Sequence, residues 1–315
     1  SPNNYNKVEF EYDKLNRLTV KKESIKNLQN QQIQVFNTLY KYDSNNHLQR
    51  LTYPSGFAVD YFYDLKGFNT EIKRTDNGAS IWKANELNHL GKFTNYTLGN
   101  KPPSEIEFDN FGLLVEAKTA GIQDLYYTFD SKNGNMMQRK DLIRTLEENF
   151  TYDASDRLLT ATVVGQNPVV TNYLPNGNID NKTGLGTYTY DAKPNAVVSI
   201  ENTDNIISNN TQDISYTSFD KALHLSEGDY TLDYAYGAYD ERKTSKLINT
   251  TTSQTVCERL YLDGFERTIK NTDTIDITYI NTPLGLTAMF VKENGNAGTM
   301  HYVYSDNLGS INTLI

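Results

Sequence analysis

The 315-residue sequence holds one cysteine, one tryptophan, four histidines and eight prolines. With Cys257 alone, no disulfide can form within the chain, and the residue reads as a small buried or half-buried side chain of a strand over 255–261. No run approaches the roughly 18 apolar residues of a membrane span, and Ser1-Pro2-Asn3-Asn4-Tyr5 is not a signal peptide. Basic residues are in deficit, 30 against 39 acidic, for a formal net charge of -9. Phosphate-backbone binding needs clustered Lys and Arg, so nucleic acid is not an expected partner. Gly-x-Ser-x-Gly, His-Glu-x-x-His, Cys-x-x-Cys and a phosphate-cradling glycine loop are all missing. Asp130 to Asn135 has the wrong spacing for a calcium loop. No catalytic residue, metal or cofactor is therefore expected.

What the chain does have is 23 tyrosines, many of them followed by Asp. Tyr152-Asp153-Ala154-Ser155-Asp156-Arg157-Leu158 is the sharpest copy of a seven-residue pattern: aromatic, Asp, three turn residues, a basic residue and an aliphatic. Further copies start at Tyr12-Asp13, Tyr42-Asp43, Tyr63-Asp64, Phe108-Asp109, Phe129-Asp130, Tyr190-Asp191 and Phe219-Asp220. Tyr173 to Ile179 keeps the turn residues, with Leu174 in place of Asp, and Pro194 stands where another copy has Gly. Spacings of 21 (Phe108 to Phe129), 23 (Phe129 to Tyr152) and 21 (Tyr152 to Tyr173) indicate a repeat array. The flanks alternate as half-buried strands do, Phe150 and Tyr152 against Asn149, Thr151 and Asp153. Each copy thus reads as a β-hairpin.

The Asp is expected to accept backbone N–H groups two residues on, and Asn16, Asn46, Gly67, Gly112 and Gly177 to supply a left-handed fifth residue. The first-position rings are expected to stack on one another from hairpin to hairpin. Asn77-Gly78, Asn133-Gly134, Asn176-Gly177 and Asn294-Gly295 signal two-residue hairpin turns. Residues 24–34 read as a longer connection, a loop or one helical turn, and 184–212 as a projecting loop without periodicity. His47, His89 and His224 are read into the basic slot of the repeat, and His301 as an exposed strand residue. At 37% hydrophobic residues, the composition suits one continuous all-β array, a sheet one layer thick with much wetted surface.

Later segments change character: Ala235 to Arg242, Tyr261 to Arg267, Tyr279 to Leu286 and Tyr302 to Ser310, the last containing Asp306 and Gly309. With Tyr96-Thr97-Leu98-Gly99-Asn100 and the Tyr-Asp hairpins, this ordered series resembles the RHS/YD-repeat family over nearly the whole chain. That family includes bacterial polymorphic-toxin shells, shell subunits of insecticidal toxin complexes, and teneurins. The resemblance implies a curved, spiralling strip of hairpins, part of a hollow shell, in two stretches. Residues 1–233 would be the YD array and 234–315 the repeats leading toward the core boundary.

It further implies a non-enzymatic wall that encloses or presents a C-terminal effector of the same polypeptide, in a secreted or surface-exposed protein. Since the sequence starts almost on a repeat and ends at Leu314-Ile315 in mid-pattern, it is expected to be a piece of something longer, with strand edges open to self-association. The alternative is a surface carbohydrate-binding or adhesion module, with Trp82, Tyr61 and Tyr126 as the rings on which a glycan would stack. Tyr12, Asp13, Tyr42, Asp43, Tyr63, Asp64, Tyr152, Asp153, Asp306 and Gly309 are the residues assigned to the repeat itself.

Overall fold

A computed structural model describes residues 6–26, 32–191 and 194–315. It is all-β, and its strands pair antiparallel with their chain neighbours in three runs. The first run comprises β1 (Lys7–Tyr12), β2 (Leu18–Lys26), β3 (Ile33–Tyr42), β4 (Leu48–Thr52), β5 (Ala58–Tyr63), β6 (Asn69–Arg74), β7 (Ser80–Leu87) and β8 (Phe93–Leu98). The second comprises β9 (Ser104–Phe108), β10 (Leu114–Thr119), β11 (Gln123–Phe129), β12 (Met136–Asp141), β13 (Leu146–Tyr152), β14 (Leu158–Val163), β15 (Val169–Tyr173), β16 (Ile179–Lys182), β17 (Gly186–Tyr190) and β18 (Val197–Ile200). The third comprises β19 (Gln212–Tyr216), β20 (Ala222–Glu227), β21 (Tyr230–Tyr236), β22 (Arg242–Asn249), β23 (Gln254–Leu262), β24 (Phe265–Lys270), β25 (Asp273–Thr282), β26 (Gly285–Glu293), β27 (Thr299–Ser305) and β28 (Ile311–Leu314). The strands fall into two sheets, β1–β18 and β19–β28, rather than one. The ladder breaks at 201–211, which carries no strand. The stretch read as a loop over 184–212 nevertheless contains β17 and β18, and of the connection read at 24–34, residues 27–31 lie outside the described residues.

One hairpin turn recurs with fixed backbone chemistry. In the copy at 152–158, Asp153 N–H donates to Arg157 O (2.9 Å) and Asp156 N–H to Asp153 O (3.1 Å), while Asp156 sits at φ 60°. This is a type I turn closed by a left-handed residue, a three-residue loop with a bulge, and the register slips between Thr151 and Tyr152 as a bulge requires. The Asp153 carboxylate then accepts the amides of Ser155 and Arg157 at 2.8 and 3.0 Å, satisfying donors the tight turn would leave open. Asp13, Asp43, Asp64, Asp109 and Asp306 do the same. The fifth position falls on Asn16, Asn46, Gly67, Gly112, Gly177 and Gly309, all at positive φ.

Two sequence expectations give way here. The copy assigned to Phe219 starts instead at Tyr216, because Thr217 N–H bonds Lys221 O and Asp220 holds the left-handed position at φ 59°. Among the four Asn-Gly pairs, Asn294-Gly295 has both residues at positive φ, as a two-residue turn needs. At 133–134 the loop is a residue longer than in the sharp copy, closing through Asp130 N–H to Asn135 O, and at 176–177 the pair belongs to the three-residue turn.

Copies are coupled through their first-position tyrosines, although not by ring-on-ring stacking. Tyr63 Oη donates to Leu48 O and Tyr173 Oη to Leu158 O, both at 2.9 Å, each reaching the seventh residue of the preceding copy. Tyr190 and Tyr236 reach Ile179 O and Ala222 O in the same way. The ring lies under the preceding copy's basic residue: Arg17 over Tyr42 at 4.8 Å, Arg157 over Tyr173 at 4.6 Å, and His47 stacked on Tyr63 at 4.6 Å. A cation over the negative ring face is worth about 0.5–1 kcal/mol where exposed. A second ring placed there would have to displace it.

The chain forms two compact units, residues 1–102 with 211–315, and residues 103–210. In the first unit the expected single layer is doubled, because one face of the β1–β8 run packs on the β19–β28 run. Cross-strand partners Leu51, Val59, Tyr61, Ile72, Trp82 and Leu98 share that face. Val59, Ile72, Trp82 and Leu98 are fully buried. Ile25 and Phe36 close with Leu260 and Phe265 into a cluster, and Phe57 stacks on Phe290 at 4.2 Å. Each such side chain contributes about 1.5–3 kcal/mol by leaving water. Ser55 Oγ meets Thr278 Oγ1 at 2.7 Å, and Glu23 meets Lys243 at 2.5 Å.

The second unit is thinner. Ile106, Ala117 and Leu125 are buried in register across β9–β11, beside the buried hydroxyl pair of Ser104 and Thr119 at 2.6 Å. Beyond Tyr127, no described hydrophobic residue of the unit is buried.

Candidate functional site

Of the three rings proposed for glycan stacking, Trp82 must be withdrawn. The same strand alternation that puts polar Lys83 outward turns Trp82 into the first unit, where it is 0% exposed and meets Phe93 edge-on at 5.3 Å. Its apolar area is worth more there than in water, and its Nε1 is left without a hydrogen-bond partner. Tyr61 shares that inward face and is half-buried. Burial, with Tyr63 and Tyr40 adding and a hydrogen bond with Tyr53 opposing, pushes its phenol up to about 12. Tyr126 lies in the second unit, half-buried, its Oη donating to Glu116 Oε1 at 2.6 Å, and this carboxylate pushes its phenol up to about 12.

The first unit does present a groove of about 510 Å³ where the turn edge meets β3–β5. Its walls are polar: Lys41, Asp43, His47, Arg50, Asp60 and Asp64, with Tyr61, Phe62 and Tyr63 among them. Arg50 clamps Asp60 through two hydrogen bonds, 2.6 and 3.1 Å. His47 Nδ1 lies 3.2 Å from Asp43 Oδ2, and the ring is held between Tyr63 and the bare Cα of Gly67, where a Cβ would come within 3.0 Å of Nε2. Burial works against the Asp43 carboxylate, but the amides of His47 and Asn45 and the His47 ring outweigh it and hold it below the usual range. Phe62, 44% exposed with Lys73 Nζ over its face at 5.0 Å, is the solvent-facing ring that the sequence reading missed. Its place in a Tyr-Phe-Tyr strand gave the signal: if Tyr61 faces in, Phe62 must face out.

The other titratable candidates are dispersed. His89 occupies the third turn position and Lys92 the basic one, since Asn88 N–H bonds Lys92 O. Lys221 likewise holds the basic slot assigned to His224, which instead sits in β20 with Nδ1 2.6 Å from Asp233 across the ladder. His301 is half-buried rather than exposed, and Cys257 is half-buried in β23. Among the described residues, no group of three or more His, Cys, Asp or Glu side chains could hold a metal ion. The groove sets polar side chains beside rings.

No family model and no curated protein matches the chain. Solved structures do. The chain is similar to one in the Photorhabdus luminescens Tc holotoxin pore bearing the TccC3 D651A mutation, with a TM-score of 0.79 and 14% identity over 99% of this chain and 19% of that one. The TcdB2–TccC3–Cdc42 crystal structure gives 0.76 and 14% over 98% of this chain and 20% of that one, and TcdB2–TccC3 gives 0.75 and 14% over 96% and 20%. The likeness shows a shared fold, the hairpin array that the YD motifs imply. The chain spans about a fifth of the length of the structures it matches.

Proposed function

We propose that this chain is a stretch of wall in an RHS/YD-repeat shell that encloses or presents a C-terminal effector of its own polypeptide, in a secreted or surface-exposed protein. The observation that carries the reading is the match of 96–99% of the chain to toxin-complex structures. The turn and tyrosine couplings support it, because they use the backbone and rings to join one hairpin to the next. Such a wall acts by excluding volume. Its partner is the effector, and its open strand edges are places for further wall or for a second copy to pair.

The test is to produce the full-length natural protein and compare native sizing with a denaturing gel and limited proteolysis. A C-terminal segment that resists protease while the wall is intact, and becomes sensitive when the wall is unfolded, is the result expected. A C-terminal segment digested at once in the intact protein would end the encapsulation reading. Adhesion is the second reading, favoured only by the exposed Phe62 in its polar groove, and it would show as glycan binding lost in Phe62→Ala.

A further inference from the structure

Two adjacent copies place a cation beside the turn with no second-position Asp. At 12–18 and 152–158 the second-position Asp neutralises the sixth-position Arg, with Arg17 Nη2 2.7 Å from Asp13 and Arg157 Nη2 2.6 Å from Asp153. At 216–222 the second position is Thr217, which leaves the sixth-position Lys221 without a turn carboxylate; at 236–242 the second position is Gly237 and the sixth is Glu241, with Arg242 following at the seventh. An Asp could not return at that second position, because a Cβ on Gly237 would fall 2.3–2.7 Å from the Glu241 carboxylate, which folds back over it. That carboxylate is already engaged by Lys243 Nζ at 3.1 Å and by Tyr239 N–H at 2.9 Å. Among the described residues neither Lys221 nor Arg242 makes an ion pair.

Both line one open groove of about 340 Å³ with Tyr236, Asp240 and Tyr261. The Arg242 guanidinium lies 4.1 Å over Tyr234 and 5.7 Å from the centre of Tyr261, so two rings hold its plane while its N–H fork stays free. A fork fixed in this way loses little entropy on meeting a planar, two-oxygen acceptor. Phe219 meets the groove's Tyr236 edge-on at 5.5 Å, and Tyr239, 78% exposed, precedes the groove's Asp240 in the chain. In a chain of net charge -9, two exposed, uncompensated cations beside bare rings are complementary to an acid flanked by apolar groups.

We propose that the Lys221–Arg242 groove is a docking site for an acidic segment of a partner polypeptide, with a Glu or Asp carboxylate on the Arg242 fork and a neighbouring aromatic side chain against Tyr239 and Phe219. Lys221 adds charge and draws the segment in. Asp240 disfavours a second anion at its end of the groove, which suits a single carboxylate better than a phosphate cluster. This inference is independent of whether the wall encloses anything.

The test uses the 315-residue chain and a fluorescein-labelled peptide of sequence Ser-Phe-Glu-Glu-Phe-Ser, read by fluorescence anisotropy. Binding is expected to weaken with added salt, to vanish for the Gln-for-Glu peptide, and to fall by about 10-fold or more in Arg242→Gln, the loss expected of a charge-assisted hydrogen bond. Arg242→Lys keeps the charge without the fork and should recover only part of it. Lys221→Gln, an exposed residue packed on no ring, guards against a folding artefact and should weaken binding several-fold. Equal affinity for the two peptides, or no change in either Gln variant, overturns the proposal. So does displacement of the bound Glu peptide by inorganic phosphate or a polyanionic sugar at concentrations well below those at which unlabelled Glu peptide displaces it.

Discussion

Lys243 Nζ stands 2.5 Å from Glu23 Oε1 across 220 residues of chain, both side chains at most 5% exposed. The pair joins β2 to β22 and fixes the register of two hairpin runs that share no ladder. Lys21 backs Glu23 at 3.3 Å and also lies 3.7 Å from Asp263. Buried pairs of this kind are costly to break and cheap to replace. Glu23→Gln or Lys243→Met alone should cost about 3–5 kcal/mol, whereas Glu23→Met with Lys243→Met should recover most of it. Urea denaturation of the four proteins measures this, and equal costs for single and double variants would refute the clasp. Burial pulls the Lys243 ammonium down, but Glu23 and Glu241 outweigh it and hold it above its ordinary value. That contribution is complete below the unfolded lysine value of about 10.4 and is lost as pH rises past the folded value.

The turn carboxylates set the acid limit. Arg17, through its amide and its guanidinium, holds the Asp13 carboxyl below the usual range, and the Arg157 side chain and amide do the same for Asp153. A depressed carboxylate stabilises the fold above the unfolded value of about 3.9 and loses that contribution as pH falls through the folded one. Turn amides at 15–17 and 155–157 should therefore exchange faster with deuterium at pH 3 than at pH 5 after correction for intrinsic rates. In Asp153→Asn the 155–157 amides should lose that pH dependence.

Removing the Tyr173 hydroxyl with Phe should cost about 1 kcal/mol, the worth of one hydrogen bond. Tyr12, 56% exposed with no described copy before it, is the control, and Tyr12→Phe should leave thermal stability unchanged. Equal melting temperatures for both variants would show that the tyrosine bridges do not couple copies.

Gly99 sits at φ 54° where a Cβ would come within 2.1–2.7 Å of the Tyr302 ring. Gly99→Ala should destabilise by about 3 kcal/mol or more, combining left-handed strain with overpacking. Gly165→Ala, at φ 86° with open space around it, should cost only the strain, about 1–2 kcal/mol. Adding Tyr302→Ala should relieve the former and leave the latter alone, a difference that a double-mutant cycle resolves.

Trp82, the sole tryptophan, is a built-in probe. Its emission should be blue-shifted and resist iodide quenching until the two layers of its unit separate. Strong quenching in the folded protein would place the ring at the surface after all.

The hairpin array was legible in the sequence because turn chemistry is local: Asp153, Asp156 and Arg157 lie within five residues and specify their own bonds. The long-range partners of the same residues were not. Nothing near Tyr63 says that its hydroxyl goes to Leu48 and its ring under His47, and a Tyr-rich repeat suggests ring stacking just as well. The second layer was hidden for a related reason. Val59, Ile72 and Leu98 read as one alternating face, but what covers that face is more than 150 residues away in sequence. Trp82 misled because rarity resembles function, whereas its strand parity alone places it with Ile72 and Leu98.

The tyrosine bridges all point backward along the chain, from Tyr63 to Leu48, from Tyr173 to Leu158, from Tyr236 to Ala222. A nascent polypeptide leaving the ribosome therefore offers each new ring a carbonyl and a basic side chain that are already in position, so the array can be laid down vectorially, one hairpin at a time. Glu23 is the exception to that economy. Its buried partner Lys243 is translated 220 residues later, and during that interval the face it lies on has to wait, uncovered, for the chain to come back.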